Sequence, residues 1–324
     1  MDLIFYHGHC PDGWCAAHIA SKKYPEAKLI PLDHGLDPNT IGGIIMSTAN
    51  KDVLMVDFSL RTREENDAIA AQAKSFRILD HHKTAQAVLE GAPYAIFDMK
   101  RSGAGLTWDY LFGVDAPWGQ GQWNSILSTV SNPSAVAQKR PWYVDYVEDR
   151  DLWNWKLPNS REICAYLGTL ELNKEDWDSL ELEDSKEVAH HGLGALAHIN
   201  HYVREAVKQA QTGKLHGYTT AVLNVPYLNC SEVGNELSKT HDISLTWFER
   251  GDGITQFSLR SIGDKDVSAV AKTFGGGGHK NAAGFQMSLD EARDFIDRVL
   301  GRDIARVKFL TQEIEKLRSP GGCA

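Results

Sequence analysis

Apolar positions in the first hundred residues come in short dense runs. LIFY (3–6), LIPL (29–32), VLMV (53–56), FRIL (76–79) and YAIF (94–97) each have strand length. Between them, apolar residues recur at helical spacing, in GWCAAHIASKKY (13–24), in Arg61 to Lys74 and in SGAGLTWDYLFG (102–113). Strands that alternate with helices in this way predict an α/β fold built on a mainly parallel sheet with helices on both faces. Gly113 to Arg140 is rich in Gly, Pro, Ser, Asn and Gln and reads as an irregular connection. PWYVDYVEDRDLW (141–153) returns to a helical pattern, and Ser185 to Thr212 reads as one long helix. After Gly217 the pattern resets into a smaller α/β region. TTAVLNV is a strand and SEVGNELSKT a helix, and ISLTWFERGDGITQFSLRSI is a hairpin about Gly251-Asp252-Gly253. The expected organisation is a first domain over 1–185, a linker helix over 186–214 and a second, smaller domain over 215–302. A C-terminal helix and tail follow at 303–324.

Composition narrows the classes. The 324 residues suffice for two domains, and 42% hydrophobic content supplies packed cores. No apolar run approaches the roughly 18 residues of a membrane span, and MDLIFYHGHC lacks the basic and apolar regions of a signal peptide. Five scattered cysteines without paired spacing fit reduced thiols, hence a cytoplasmic protein that meets no membrane. The net charge of −9 argues against gripping a long duplex by charge neutralisation. A nucleic-acid substrate would be short, or held locally with cations supplying the positive charge.

Several strand ends deliver titratable side chains. His7, His9 and Asp12 follow the first run in IFYHGHCPDG, and Asp57 ends LMVDF. Asp80, His81 and His82 end RILDHH, and Asp149 and Asp151 lie in VEDRDLW. A lone Asp after a strand is ordinarily a turn or cap residue. Successive strand ends carrying such groups raise the case for a shared site, because parallel sheets place sites at the carboxyl ends of their strands. Imidazoles and carboxylates on one rim suit a divalent ion, with Mn²⁺ natural where oxygen ligands dominate. In FGGGGHKNAAGF (274–285), Gly276, Gly277 and Gly278 allow close backbone approach, and their N–H groups can line an anion. His279, Lys280 and Asn281 add polar contacts. Ser102 is positioned to cap a helix whose N-terminus faces a phosphate. The four histidines of HHGLGALAHINHYV (190–203) lack carboxylate partners and read as surface or interdomain residues.

Together these segments resemble the DHH phosphoesterase superfamily, whose signature is the Asp-His-His at 80–82. HGHCPDG resembles its first motif, LMVDFS its second and VEDRDLW its fourth. FGGGGHKNAAGF resembles the glycine-rich motif of the DHHA1 domain that accompanies one branch. The resemblance implies that His7 and Asp12 bind one metal, Asp57 bridges two, and His81 and Asp149 bind the second. His82 would lie near the phosphate and Asp80 would orient a histidine. His9 stands as the alternative to His7, and Asp151 to Asp149. Trp153, four residues on, favours Asp149. Two features depart from the family pattern. The spacing from His7 to Asp12 is one residue longer than the commonest form, and Trp14 stands where a second aspartate is usual. His9 or His34 would complete a metal that lost that ligand.

The branch with DHHA1 includes exonucleases, nanoRNases and cyclic-dinucleotide phosphodiesterases. The resemblance therefore implies an enzyme that hydrolyses short single-stranded RNA or DNA from an end to mononucleotides. It would use one or two Mn²⁺, with Mg²⁺ as the alternative ion, and it allows a homodimer. The substrate is expected between the two domains. The rivals are a hydrolase of small phosphate compounds (nucleoside bisphosphate, cyclic dinucleotide or pyrophosphate) and a nucleotide-binding sensor impaired by Trp14.

Overall fold

The structure is a computed structural model and describes residues 1–113 and 140–302. The expected connection over 113–140 thus falls almost entirely outside the described residues, as does the expected helix and tail over 303–324. The chain divides into two compact units, Met1–Ile199 and a second beginning at Asn200.

The first unit holds a five-stranded, wholly parallel sheet in the order β2-β1-β3-β4-β5. The strands are β1 (Leu3–His7), β2 (Lys28–Leu32), β3 (Asp52–Val56), β4 (Ser75–Asp80) and β5 (Ala95–Phe97). Alternate residues of β1, β3 and β4 enter two separate cores, which is why their sequences are apolar throughout. Ile4, Tyr6, Leu54, Val56 and Leu79 pack on one face. Leu3, Phe5, Val53, Met55 and Ile78 pack on the other. Pro31 is tolerated in β2 because β2 is an edge strand. The helices between strands are α1 (Pro11–Lys23), α2 (Pro38–Ser47), α3 (Arg63–Gln72), α4 (Lys83–Val88) and α5 (Gly103–Phe112). Pro11 opens α1, and a Thr62–Glu65 capping box opens α3. From β1 the chain crosses first to β2 and then back past β1 to β3. That reversal opens a crevice at the carboxyl ends of β1 and β3.

A helical layer completes this unit: α6 (Trp142–Asp151), α7 (Ser160–Leu167), α8 (Lys174–Ser179) and the start of α9 (Ser185–Ala206). The long helix read from Ser185 to Thr212 ends at Ala206. The next residues form a short 3₁₀ turn and then β6 (Gln211–Leu215), because Gln211 to Leu215 pair with β7 (Tyr218–Asn224). The second unit is a six-stranded mixed sheet in the order β10-β11-β9-β8-β7-β6. The expected hairpin joins β8 (Ile243–Glu249) to β9 (Ile254–Ser261). β10 (Gly277–Gly278) and β11 (Ala282–Ser288) add to the β9 edge. Helices α10 (Cys230–Leu237), α11 (Val267–Thr273) and α12 (Leu289–Val299) cover this sheet, with Phe257, Phe274, Phe285 and Phe295 in mutual contact. No described helix is long and apolar enough to cross a membrane.

Burial of His18 on α1 makes the first unit acid-sensitive. The ring is fully buried, beside Trp14, Tyr143 and Trp177. Burial, helped by Lys22, lowers its pKa to about 4, although Asp178 and Glu181 oppose the shift. An unfolded chain takes up this proton near pH ~6.5. The stability tied to neutral His18 is therefore complete above about pH 6.5 and is lost as pH falls toward 4. The loss reaches about 1 kcal/mol near pH 5.5. Urea unfolding near pH 7.5 and near pH 5.5 should show that much extra loss in the wild type relative to His18→Gln. Equal losses in the two proteins would refute it.

Candidate metal and phosphoester site

The crevice gathers the polar strand ends. His7 closes β1, Asp57 follows β3, and Asp80, His81 and His82 finish β4 and enter α4. Asp57 holds a left-handed backbone, φ 53°. That is an uncommon conformation for a non-glycine residue, and such strain gathers at functional positions. It turns the carboxylate away from the strand direction and into the crevice. The α5 residue Gly103 packs directly on it, since a Cβ there would meet the Asp57 Cβ at 2.4 Å.

Among the described residues three donor groups share Asp57, one of them with Asp80 and His82. Ligand atoms of Asp12, Asp57 and His81 lie within 4.8 Å of one another, and so do those of His7, Cys10 and Asp57. His81 Nε2 is 3.1 Å from Asp57 Oδ1, 3.6 Å from Asp12 Oδ2 and 3.5 Å from Asp151 Oδ2. His7 Nδ1 is 3.6 Å from Asp57 Oδ2. Asp12, Asp57 and His81 are each buried to 1–2% exposure. The first amides of α5 aim Asp12. Gly103 N donates to its Oδ2 at 2.6 Å, and Ala104 N to its Oδ1 at 2.9 Å. Asp80 is held still more firmly. Its Oδ1 accepts from the backbone N of His81 at 2.7 Å and of His82 at 3.1 Å, and lies 2.7 Å from His82 Nδ1. Its Oδ2 accepts from Ser59 Oγ at 3.1 Å.

Electrostatics follow from this crowding. Burial raises the Asp12 carboxyl well above the usual range, and the charges of Asp57 and Asp151 add to it. Burial works the same way on Asp57 and Asp80, but neighbouring imidazoles override it. His7 and His81 hold Asp57 below the usual range, and His82 brings Asp80 to about 2. Burial lowers the basicity of His81, but Asp151, Asp57 and Asp12 together raise it well above normal. Among the described residues no Lys or Arg pairs with Asp12, Asp57 or Asp80, and Asp57 Oδ1 and His7 Nδ1 are buried without a hydrogen-bond partner. Buried carboxylates without a cation are costly. Their oxygen and imidazole donors fit a divalent ion.

Several expectations change here. Asp149 is a structural anchor and does not reach the crevice. It is 1% exposed and accepts from Lys156 N at 2.9 Å, Leu157 N at 3.2 Å and Ser160 Oγ at 2.6 Å. Asp151, two residues later on α6, faces His81 instead. Two residues on a helix are about 200° apart, so only one can face the site. Asp12 groups with His81 and Asp57 rather than with His7. His9 lies outside these groups, 77% exposed and 3.8 Å from Asp33. His34 does arrive, its ring 4.9 Å from that of His7 and stacked on Phe58 at 5.0 Å. Trp14 points into the core against Tyr6 and offers nothing to the crevice.

Ser102 is fully buried, and its Oγ accepts from Gly105 N at 3.1 Å. The helix N-terminus behind it is taken by Asp12, so Ser102 is a cap without access to a phosphate. The glycine loop is a tight hairpin with its own packing demands. A Cβ on Gly276 would meet Gly284 O at 2.0 Å, and Gly278 has φ 135° and the Ala282 carbonyl beside it. Gly277 pairs with Gly284 in the sheet, and His279 N donates to Ala282 O. The Asn281 amide donates to Ser261 Oγ and to the Gly263 and Lys265 carbonyls, which commits it to the second unit's own structure.

Sequence reasoning missed a buried ionic scaffold. Arg101 joins Glu148 at 2.6 Å and Asp109 at 2.7 Å, Arg140 joins Asp145 at 2.7 Å, and Ser102 N donates to Glu148 Oε2 at 3.0 Å. This network ties α5, which aims Asp12, to α6, which carries Asp151. Its charged residues are scattered along the chain and leave no local pattern to read.

Carboxylates and imidazoles gathered at the strand ends of a parallel α/β sheet form a set of donors that could hold a divalent ion. Residues 217–302 match the model of the DHHA1 domain. An uncharacterised protein, R106 of Acanthamoeba polyphaga mimivirus, is 28% identical over 309 residues, covering 89% of this chain and 68% of that one. Among solved structures, RecJ in complex with Mn²⁺ from Thermus thermophilus is similar with TM-score 0.49 and 16% identity, over 93% of this chain and 52% of that chain. An exopolyphosphatase-related protein from Bacteroides fragilis gives TM-score 0.45 and 14% identity, over 94% and 93%. The second unit thus carries a DHHA1 domain, and the Asp80-His81-His82 triplet lies in the first.

Proposed function

We propose that the protein is a divalent-metal-dependent phosphodiesterase that hydrolyses short oligonucleotides from an end to mononucleotides. The observation that carries this reading is the buried Asp12–Asp57–His81 group and the His7 group that shares Asp57 with it, with no Lys or Arg among the described residues to neutralise their carboxylates. Asp12, Asp57, His81 and Asp151 would hold one ion, and His7 and Asp57 a second. Mn²⁺ is the proposed ion, and Mg²⁺ the alternative. Bound there, such ions lower the pKa of water and offset charge on a phosphoryl group.

The chain's own residues do the rest. Asp80 against His82 Nδ1 favours the tautomer with its proton on that nitrogen. Nε2 of His82 is then the atom that faces substrate and exchanges a proton or hydrogen bond with it. α5 fixes Asp12, and the left-handed turn fixes Asp57, so neither carboxylate reorients as charge develops. The net charge of −9 leaves little general attraction for long polyanions, which favours short substrates. The glycine hairpin of the second unit, whose Gly275, Gly276 and His279 N–H groups donate within the unit, is proposed to hold the substrate end through the His279 side chain.

Product analysis tests the reading. Protein with Mn²⁺ is incubated with end-labelled RNA and DNA of two to five nucleotides, a cyclic dinucleotide, a nucleoside bisphosphate and pyrophosphate. Stepwise mononucleotide release is expected. Turnover of the small compounds alone would replace this substrate class with theirs. A folded protein that turns over none of them would refute an enzymatic role.

A further inference from the structure

Cys10 has no part in the reading above, yet its thiol lies inside the site. It occupies the N-cap of α1 and gives that helix no side-chain hydrogen bond. Instead its Sγ lies within 4.8 Å of a His7 ring nitrogen and an Asp57 carboxylate oxygen. Asp57 is 1% exposed, and its Oδ2 lies 3.6 Å from His7 Nδ1. The His7 Nδ1 atom is buried and unpartnered. Nitrogen, sulfur and oxygen donors thus lie together at one point of the crevice. The group of Asp12, Asp57 and His81 contains no sulfur.

Ligand softness separates the two. Thiolate favours zinc and other thiophilic ions, while carboxylates suit Mg²⁺ and Mn²⁺. We propose that Cys10 is a thiolate ligand of the His7 group, giving it a preference for a thiophilic divalent ion such as Zn²⁺ over Mn²⁺. The Asp12–Asp57–His81 group then takes the oxygen-preferring ion, and the centre is mixed. This inference rests on the metal-site reading above. On binding, the S–H bond breaks, the sulfur–metal bond forms and the proton goes to solvent, with no change of oxidation state.

Cobalt, a visible stand-in for zinc, provides the test. Full-length protein stripped with a chelator is titrated with Co²⁺ and its absorption recorded. Wild type should show ligand-field bands and a near-ultraviolet thiolate-to-cobalt charge-transfer band. C10S should keep the ligand-field bands and lose the charge-transfer band, while C230S keeps both. Serine is a better N-cap than cysteine, so C10S retains the helix. Zn²⁺ affinity should fall at least about tenfold in C10S while Mn²⁺ affinity changes less than about threefold. Zn²⁺ should also protect wild-type Cys10 from alkylation, read by peptide mass spectrometry. A charge-transfer band that survives in C10S, or ligand-field bands alone in wild type, would overturn the role of Cys10 and leave the metal site standing. Wild type that binds none of the three ions would overturn both.

Discussion

Asp57→Asn should abolish phosphoester hydrolysis while leaving the fold intact. The substitution keeps shape and hydrogen-bonding capacity and removes the charge that the donor groups share. Losing several kcal/mol of charge stabilisation corresponds to a rate loss of about 10³-fold or more. Asn is the informative choice because it tolerates the left-handed backbone at this position better than most residues. Ala would add strain and blur the result. A second readout separates chemistry from binding. A ligand present at about 100 times its Kd stabilises the folded state by about 2.7 kcal/mol. Mn²⁺ should therefore raise the melting temperature of the wild type by several degrees and that of the variant by little. If Asp57→Asn retained wild-type turnover, or responded to Mn²⁺ as the wild type does, Asp57 would not be the shared ligand.

The pair Asp149→Ala and Asp151→Ala should split stability from activity. Asp149 accepts from two backbone amides and a hydroxyl while buried. Its removal leaves those donors unsatisfied, at about 1–3 kcal/mol for each that water cannot reach. A stability loss of about 2–5 kcal/mol is expected, with full activity in whatever fraction stays folded. Asp151 is 26% exposed and meets the site through His81. Its removal should change stability of the metal-free protein by less than about 1 kcal/mol. Metal affinity should fall by at least about tenfold, and activity with it. Urea unfolding and metal titration of both variants measure these outcomes. A destabilised Asp151→Ala beside an inactive but stable Asp149→Ala would restore the reading that the sequence favoured.

Asp149 shows why the sequence was read that way. VEDRDLW offers two aspartates, and Trp153 at a suitable distance favoured the first. Local sequence does not state the phase of a helix relative to a sheet it meets far along the chain. That phase is set by packing of Tyr143, Val144 and Val147 into the core and by the Arg101–Glu148 pair. Ser102 is a similar case. Its capping role was legible from Ser-Gly-Ala-Gly, but the occupant of the helix N-terminus was not. That occupant is Asp12, ninety-one residues away from Gly103. Cys10 was visible only as one of five scattered thiols, and its significance depends on Asp57 arriving beside it from another strand.

The sequence by itself determined the alternation of strands and helices, the parallel sheet and the Asp-His-His at a strand end. It also determined the hairpin about Gly251-Asp252-Gly253. These are short-range properties, fixed by periodicity, burial and turn chemistry within a few residues. Tertiary structure alone decided which aspartate of α6 meets His81, and that Trp14 fills the core. It alone decided that Asn281 is spent on its own unit and that a thiol joins His7 and Asp57. Each of those outcomes depends on the phase and approach of elements distant in sequence, and packing fixes these only once the whole unit has formed.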